Sequence, residues 1–308
     1  MFRLVRIPVM LLLISLAVIG QTKSDRERAN LLGPVKSVSE SYTRYKNSKP
    51  KKRDTVTYNS KGNEIERFMV SDYGFEMGKQ AQTFDSLGQL TESTYTNEKG
   101  IVVERYKYSY VRGRLVESLH YDGKSVLREK TVRIFDSEGN LTKETYFDPN
   151  IARAETVYTN DTSGKAIEVA FYLTGGKKAY APIGPCLGAH RVTFGYDDKG
   201  RVISKSAFET DGKLKKSWTY AYDERGNISL YVIKSNPIIT TVSYNYEYDE
   251  KGNWIKRTSV RNEDGQLFDF MLGVAGKPVT PEEKKKIEEE KAKYAPSPEI
   301  TTREITYY

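Results

Sequence analysis

The chain has 308 residues, 29% of them charged, a formal net charge of +8 and one cysteine. That length permits a substantial core or a long repeat array. The single cysteine excludes an intramolecular disulfide framework, so packing and strand ladders must hold an exported chain of this size, which suits a bacterial envelope.

Residues 1–20 read as a secretory signal. Arg3 and Arg6 make a basic start, residues 7–19 are apolar, and Val18 and Gly20 are small enough for a signal-peptidase site. The apolar stretch is shorter than the roughly 20 residues that span a bilayer, so no stable membrane span is expected after cleavage; the alternative is an uncleaved anchor. Cleavage would lower the net charge from +8 to +6. The only cysteine, Cys186, is far from the junction, so none is placed there for lipid attachment.

Residues 21–57 read as an N-terminal capping strand, within 30–42, followed by a basic run at 44–53, RYKNSKPKKR. Such a run attracts acidic polymers or headgroups, or is a solvated loop between strands. None of the usual nucleic-acid motifs is present, and nucleic acid is not expected as a partner.

Residues 58–270 repeat. Gly62, Gly88, Gly113, Gly139, Gly164, Gly200, Gly226 and Gly252 follow one another in steps of 26, 25, 26, 25, 36, 26 and 26. A fixed period of this length marks a repeat architecture. Three residues before each glycine stands Asn or Asp in seven of the eight units, and an aromatic precedes it in six. The pairs Asp85 and Gly88, Asp136 and Gly139, Asp197 and Gly200, Asp223 and Gly226, and Asp249 and Gly252 are therefore structural turn residues. The acid accepts a backbone hydrogen bond from two residues on, and the glycine takes the left-handed conformation that closes a hairpin through a bulge. A second turn, such as NEKG at 97–100, falls halfway through most units. Eight units then give about sixteen strands in an antiparallel meander with period-two alternation. Such a sheet would be about 75 Å wide and is expected to curl, with its aromatic stripe on the concave side.

The recurring YDxxGN residues resemble the YD-repeat (RHS-repeat) family, over about 58–253. The resemblance implies an exported bacterial protein built of β-hairpins. The large members form shells around toxins; this chain's longer units and short length match instead the small exported members. Carbohydrate binding is implied for some short members.

Residues 174–190 hold the ten-residue insertion, a Gly-, Pro- and Ala-rich loop with Cys186 and His190. Two ligands are too few for zinc, and nothing marks a third group to orient a cysteine nucleophile, so a surface or partly tucked loop is expected. His120 occupies the position of Tyr146 in the next unit and reads as a structural replacement. Residues 271–298 read as a helical insertion, with Thr280, Pro281 and Glu283 opening a solvated helix. Residues 299–308 read as a closing strand pairing back near 253–260.

No phosphate loop, dinucleotide fingerprint or nucleophile elbow is present, and carboxylates recurring at turns are explained by turn chemistry. No enzyme activity, cofactor or metal is expected. Trp218, Tyr220, Tyr222, Tyr244, Tyr246, Tyr248 and Trp254 are the candidate ligand-binding residues, because their faces stack on sugar rings; the competing reading is that they fill the core. The sequence thus reads as an all-β, curled, elongated repeat sheet of about eight two-strand units with one short inserted helix. Its function would be that of an exported scaffold, periplasmic, cell-surface or secreted, binding a polysaccharide, with carbohydrate favoured, or an envelope protein. Its edge strands invite self-association. The alternatives are an outer-membrane β-barrel, against which charges on the strands weigh, or a toxin-associated or neutralising repeat protein.

Overall fold

The computed structural model describes residues 23–43, 49–71, 76–181, 186, 188–236, 238–263, 280, 282 and 298–308. The signal segment at 1–20 lies outside the described residues, as does nearly all of the helical insertion at 271–298. No helix among the described residues is long and apolar enough to cross a membrane.

The turns form as their chemistry dictates. At Asp85 the backbone N–H donates to the Gln89 carbonyl at 2.9 Å, and the Asp85 carbonyl accepts from the Gly88 N–H at 3.1 Å. The Asp85 carboxylate accepts from the Gln89 N–H at 2.8 Å. Asp136, Asp197, Asp223 and Asp249 repeat this bond, at 2.7–2.8 Å, to the residue four positions on. The bond to the residue two positions on is the added one, as from Lys251 to Asp249 at 3.0 Å. Gly88 adopts φ +80°, which any side chain would strain, and the strand register slips by one just outside the turn, between Thr83 and Phe84.

The described residues form eighteen strands after a one-turn helix, α1 (Asp25–Arg28). The first nine are β1 (Val35–Thr43), β2 (Lys51–Tyr58), β3 (Glu64–Val70), β4 (Glu76–Phe84), β5 (Leu90–Thr96), β6 (Val102–Val111), β7 (Arg114–Asp122), β8 (Leu127–Phe135) and β9 (Leu141–Asp148). The rest are β10 (Ile151–Asn160), β11 (Ala166–Leu173), β12 (Arg191–Tyr196), β13 (Val202–Phe208), β14 (Leu214–Tyr222), β15 (Ile228–Ser235), β16 (Ile238–Tyr248), β17 (Trp254–Glu263) and β18 (Glu299–Tyr307). Each strand pairs antiparallel with the next.

The sheet closes. β18 pairs with β17 from Lys256↔Thr302 to Ser259↔Glu299, and on its other side with β1 from Val35↔Tyr307 to Thr43↔Ile300. The architecture is a closed eighteen-strand antiparallel barrel, which corrects the expectation of an open, curled repeat sheet. The capping and closing strands, which that picture left as free edges, pair with one another. Among the described residues, closure leaves no strand without a partner on either side.

Because neighbouring strands alternate in direction, the eight YD turns ring one end of the barrel. The intervening turns among the described residues fall at the other end, as do the end of β17 and the start of β18. The N-terminal segment crosses the YD end. Ser24 and Glu27 form a capping box on α1. The Arg26 N–H donates to the Gly62 carbonyl at 2.9 Å, and Asp25 accepts from the Glu64 N–H at 2.8 Å. Farther round the ring, Asn30 donates to the Arg225 carbonyl at 3.3 Å, and Leu32 exchanges bonds of 2.6 and 2.9 Å with the fully buried Asn253 side chain. One segment therefore ties three YD turns together on both sides of the closing seam.

Alternation sorts the two faces. The inward face carries Val38, Val56, Tyr58, Ser93, Ser118, Tyr158, Val169, Val192, Ala207 and Trp218, all buried. The outward face mixes serine, threonine and charge with exposed apolar side chains such as Ile134, Leu230 and Ile239. Ser37 meets Thr306 at 2.7 Å, Ser39 meets Thr55 at 3.0 Å, and Lys79 pairs with Glu66 at 2.8 Å. Burying an inward Val or Leu-sized side chain contributes about 1.5–3 kcal/mol, so the fold is held from inside.

Candidate functional site: the barrel interior

Successive units latch together at the YD end through cations and aromatics. The residue that follows one turn glycine reaches the aromatic of the next unit: Lys165 lies over Tyr196 at 5.6 Å and Arg201 over Tyr222 at 4.4 Å. Asn227 donates to the Tyr248 hydroxyl at 2.9 Å, and Tyr248 in turn donates to Asp223 at 2.8 Å. Asn253 and Asp249 do the same for Tyr307. The YD aromatics thus pack on the preceding turn's polar side chains.

The seven aromatic residues singled out from sequence lie on β14, β16 and the start of β17. Trp218 is 1% exposed, with Lys205 and Lys216 over its ring at 5.0 and 5.2 Å. Tyr220 stacks on Tyr231 at 5.2 Å, and the Tyr222 hydroxyl donates to the Val202 carbonyl at 2.7 Å. Tyr244, Tyr246 and Tyr248 form a file with centroids 6.4 and 6.2 Å apart, and Tyr246 meets Trp254 at 6.0 Å. Trp254 is 8% exposed, between Arg257 at 5.4 Å and Arg303 at 3.4 Å. Neither tryptophan offers a free face to a polymer outside the barrel.

The insertion tucks into the barrel beside Trp218. Ala181 and Ala189 join the cluster of Trp218, Phe171 and Val192, with Cys186 packed against it. His190 is buried, its Nδ1 set 2.9 Å from the Phe171 carbonyl and 3.1 Å from the Ala179 carbonyl. Two carbonyl oxygens on one nitrogen require that nitrogen to donate. His190 therefore fastens the loop, and no group of three or more His, Cys, Asp or Glu among the described residues is placed to hold a metal.

Next along the wall comes a buried polar network. Arg133 pairs with Glu144 at 2.8 Å, both side chains nearly covered. Glu144 also accepts from Tyr146 at 3.0 Å and Tyr158 at 2.6 Å, and Arg133 reaches Ser118 at 3.3 Å. His120 stacks flat on Tyr106, centroids 4.5 Å apart, with Glu104 and Glu129 at 3.9 and 3.7 Å.

At the closing seam the interior opens into a cavity of about 470 Å³, lined among others by Glu40, Arg53, Asp54, Tyr58, Arg67 and Arg303. Arg53 pairs with Glu299 at 3.1 Å and lies over Tyr42 at 4.4 Å. Arg67 holds Glu64 at 2.7 Å and Asp54 at 3.4 Å. The Arg303 Nε donates to Glu40 at 2.9 Å. Burial, with the Glu64 charge beside it, pushes the Tyr58 hydroxyl up to about 12. Burial also lowers Arg303 from its ordinary value, against the pull of Glu40. Sequence reasoning passed over these residues because each looks like an ordinary strand charge. The available signal was parity for Arg67 and Arg303, which fall on the inward register of Val56 and Val38; Arg53 has the opposite parity and lies at the register shift opposite Ser39 and Ser41.

No family model matches the chain, and no curated protein matches it. Among solved structures, it is similar to a porin-like protein from Bacteroides uniformis, with TM-score 0.41 and 12% identity over 89% of this chain and 99% of that one. A porin-like protein from Bacteroides vulgatus aligns with TM-score 0.26 and 11% identity over 89% and 98%. A TcdB2–TccC3 toxin structure aligns with TM-score 0.35 and 14% identity over 74% of this chain, which spans only 14% of that chain.

Proposed function

We propose that this chain is an exported β-barrel of the cell envelope, non-enzymatic, with a wall that meets water and a packed interior. It acts as a scaffold or binding body and not as an open channel. Closure of eighteen strands accords with the barrel alternative better than with an open repeat scaffold. The observation that carries the water-facing reading is the outward face. Besides the Ser–Thr pairs and Lys79–Glu66, it bears Lys143–Glu155 at 3.0 Å, Arg191–Glu168 at 2.8 Å and Lys256–Glu247 at 2.6 Å. A Lys or Arg turned to lipid at the bilayer midplane costs about 2–4 kcal/mol, and here such residues recur around the wall.

A second reading, an integral outer-membrane barrel, is favoured by closure itself, since a closed sheet satisfies its backbone hydrogen bonds without water. Polysaccharide or envelope-protein binding falls to the turn-bearing ends and the outer wall, because both tryptophans are enclosed. Fractionation of the expressing cell separates the two readings. The water-facing barrel is released by osmotic shock or secretion and runs as a monodisperse species without detergent. Recovery only from the outer-membrane pellet, with detergent needed to extract it, establishes the second reading instead.

A further inference from the structure

We propose that the groove between the first two YD turns is a binding site for a neutral sugar residue, which lies on the Phe84 ring and hydrogen-bonds the Asn63 amide. This deepens the scaffold reading and rests on binding at the turn-bearing ends.

The groove, about 410 Å³, lies between the turns that begin at Asn59 and Asp85, and its volume is within the range of small-molecule sites. The latch that joins later units is missing here. In those units the residue after the turn glycine places a cation over the next aromatic, as Arg201 does at Tyr222, or bonds its amide to the aromatic's hydroxyl, as Asn227 does at Tyr248. Here that residue is Asn63 and the next aromatic is Phe84. Asn63 has no charge to place over a ring, and Phe84 has no hydroxyl to receive. Among the described residues, neither the Asn63 amide nor the Phe84 ring has a hydrogen-bond, ring or cation partner. Both line the groove. The Asn63 Nδ2 lies 3.6 Å from the point that a Cβ on Gly88 would occupy, so the amide reaches across to the second turn.

The lining suits a sugar. A pyranose offers an apolar C–H face to an aromatic ring and a rim of hydroxyls that both donate and accept. Amides answer both roles, and three stand here: Asn59, Asn63 and Gln82. The Asn59 side-chain oxygen accepts the Asn63 backbone N–H at 3.0 Å, which leaves its NH2 to donate. Lys61 and Asp85 are the charged residues of the lining and offset one another, so the groove favours a ligand without net charge. Exposed amides are otherwise hydrated, and sugar hydroxyls reproduce the bonds of the water they displace. Phe84 is only half-buried, whereas Trp218 and Trp254 are enclosed.

The test is saturation-transfer NMR on the purified full chain with cellobiose, maltose, lactose and N,N′-diacetylchitobiose, each titrated separately. The proposal expects saturable transfer to the ring protons of at least one of them, and the responding sugar identifies the preferred hydroxyl pattern. Asn63→Ala and Phe84→Leu should each weaken the response about tenfold or more, whereas Lys213→Gln at the opposite end should leave it unchanged. Phe84→Tyr supplies the missing hydroxyl, so it should reproduce the latch seen between Asn227 and Tyr248, raise the thermal midpoint and weaken the sugar response. No transfer to any of the four sugars overturns the proposal. So does a response unaltered by Asn63→Ala, the variant that decides should Phe84→Leu fail to fold; that outcome would move sugar binding elsewhere on the barrel and leave the scaffold reading intact.

Discussion

Val38 of β1 stands opposite Ile305 of β18, and with that pairing the first and last strands complete the barrel. Removal of residues 299–308 should expose the edges of β1 and β17 together. Such edges are templates for pairing with another chain. Size-exclusion chromatography should show the truncated chain as oligomers or aggregate; a stable monomer would mean the seam contributes little.

Trp218 is the largest fully buried side chain, and its enclosure by the 174–190 loop makes it structural. Trp218→Ala should cost about 3–5 kcal/mol, read as a fall in the denaturant midpoint. A change below about 1 kcal/mol would place the ring in a looser environment than the one described.

Glu144 neutralises Arg133 and accepts two tyrosine hydroxyls. Glu144→Gln keeps an acceptor but strands the cation, with an expected loss of about 3–5 kcal/mol. Glu144→Leu should lose about 1–3 kcal/mol more, because the hydroxyls are stranded too. Equal stability of the two variants in urea would contradict the network.

The YD turns carry an acid sensitivity with a definite sign. The Asn140 N–H holds the Asp136 carboxyl below its ordinary value, and the Ser163 hydroxyl and Lys165 N–H do the same at Asp161. A lowered folded-state pKa means the unfolded chain binds protons first. These groups therefore contribute stability above the ordinary aspartate value of about 3.9, lost as pH falls through the lowered folded value. Asp136→Asn with Asp161→Asn keeps an acceptor at each turn and removes the titration. The acid limb of a stability–pH curve should flatten in that variant; an identical limb would assign acid unfolding elsewhere.

The turns were legible in the sequence because their chemistry is local: acid, glycine and aromatic lie within five residues. β1 and β18 were legible as strands for the same reason. Their pairing was not, since Ser37 and Thr306 are 269 positions apart and no local pattern encodes which edges meet. The period-two alternation gave the inward aromatic face but not whether that face was open or enclosed, and the sugar-stacking reading of Trp218 and Trp254 turned on that difference. The basic run at 44–53 looked like a solvated loop, yet Arg53 reaches Glu299 across the seam. His190 was expected in a surface or partly tucked loop; only the folded chain reveals two backbone carbonyls converging on one of its ring nitrogens.

Closure is the central claim, and a cross-link across the seam tests it most directly. Ser39 and Glu304 are opposed on β1 and β18, and antiparallel partners lie about 4.5–5.5 Å apart at Cα, within disulfide range. Ser39→Cys with Glu304→Cys, in a Cys186→Ala background, should oxidise to an intramolecular disulfide in the monomer. The product would be seen as a faster band on a non-reducing gel that reverts on reduction. Failure to form that band, or formation only of cross-linked dimers, would mean the sheet is open at β1 and β18.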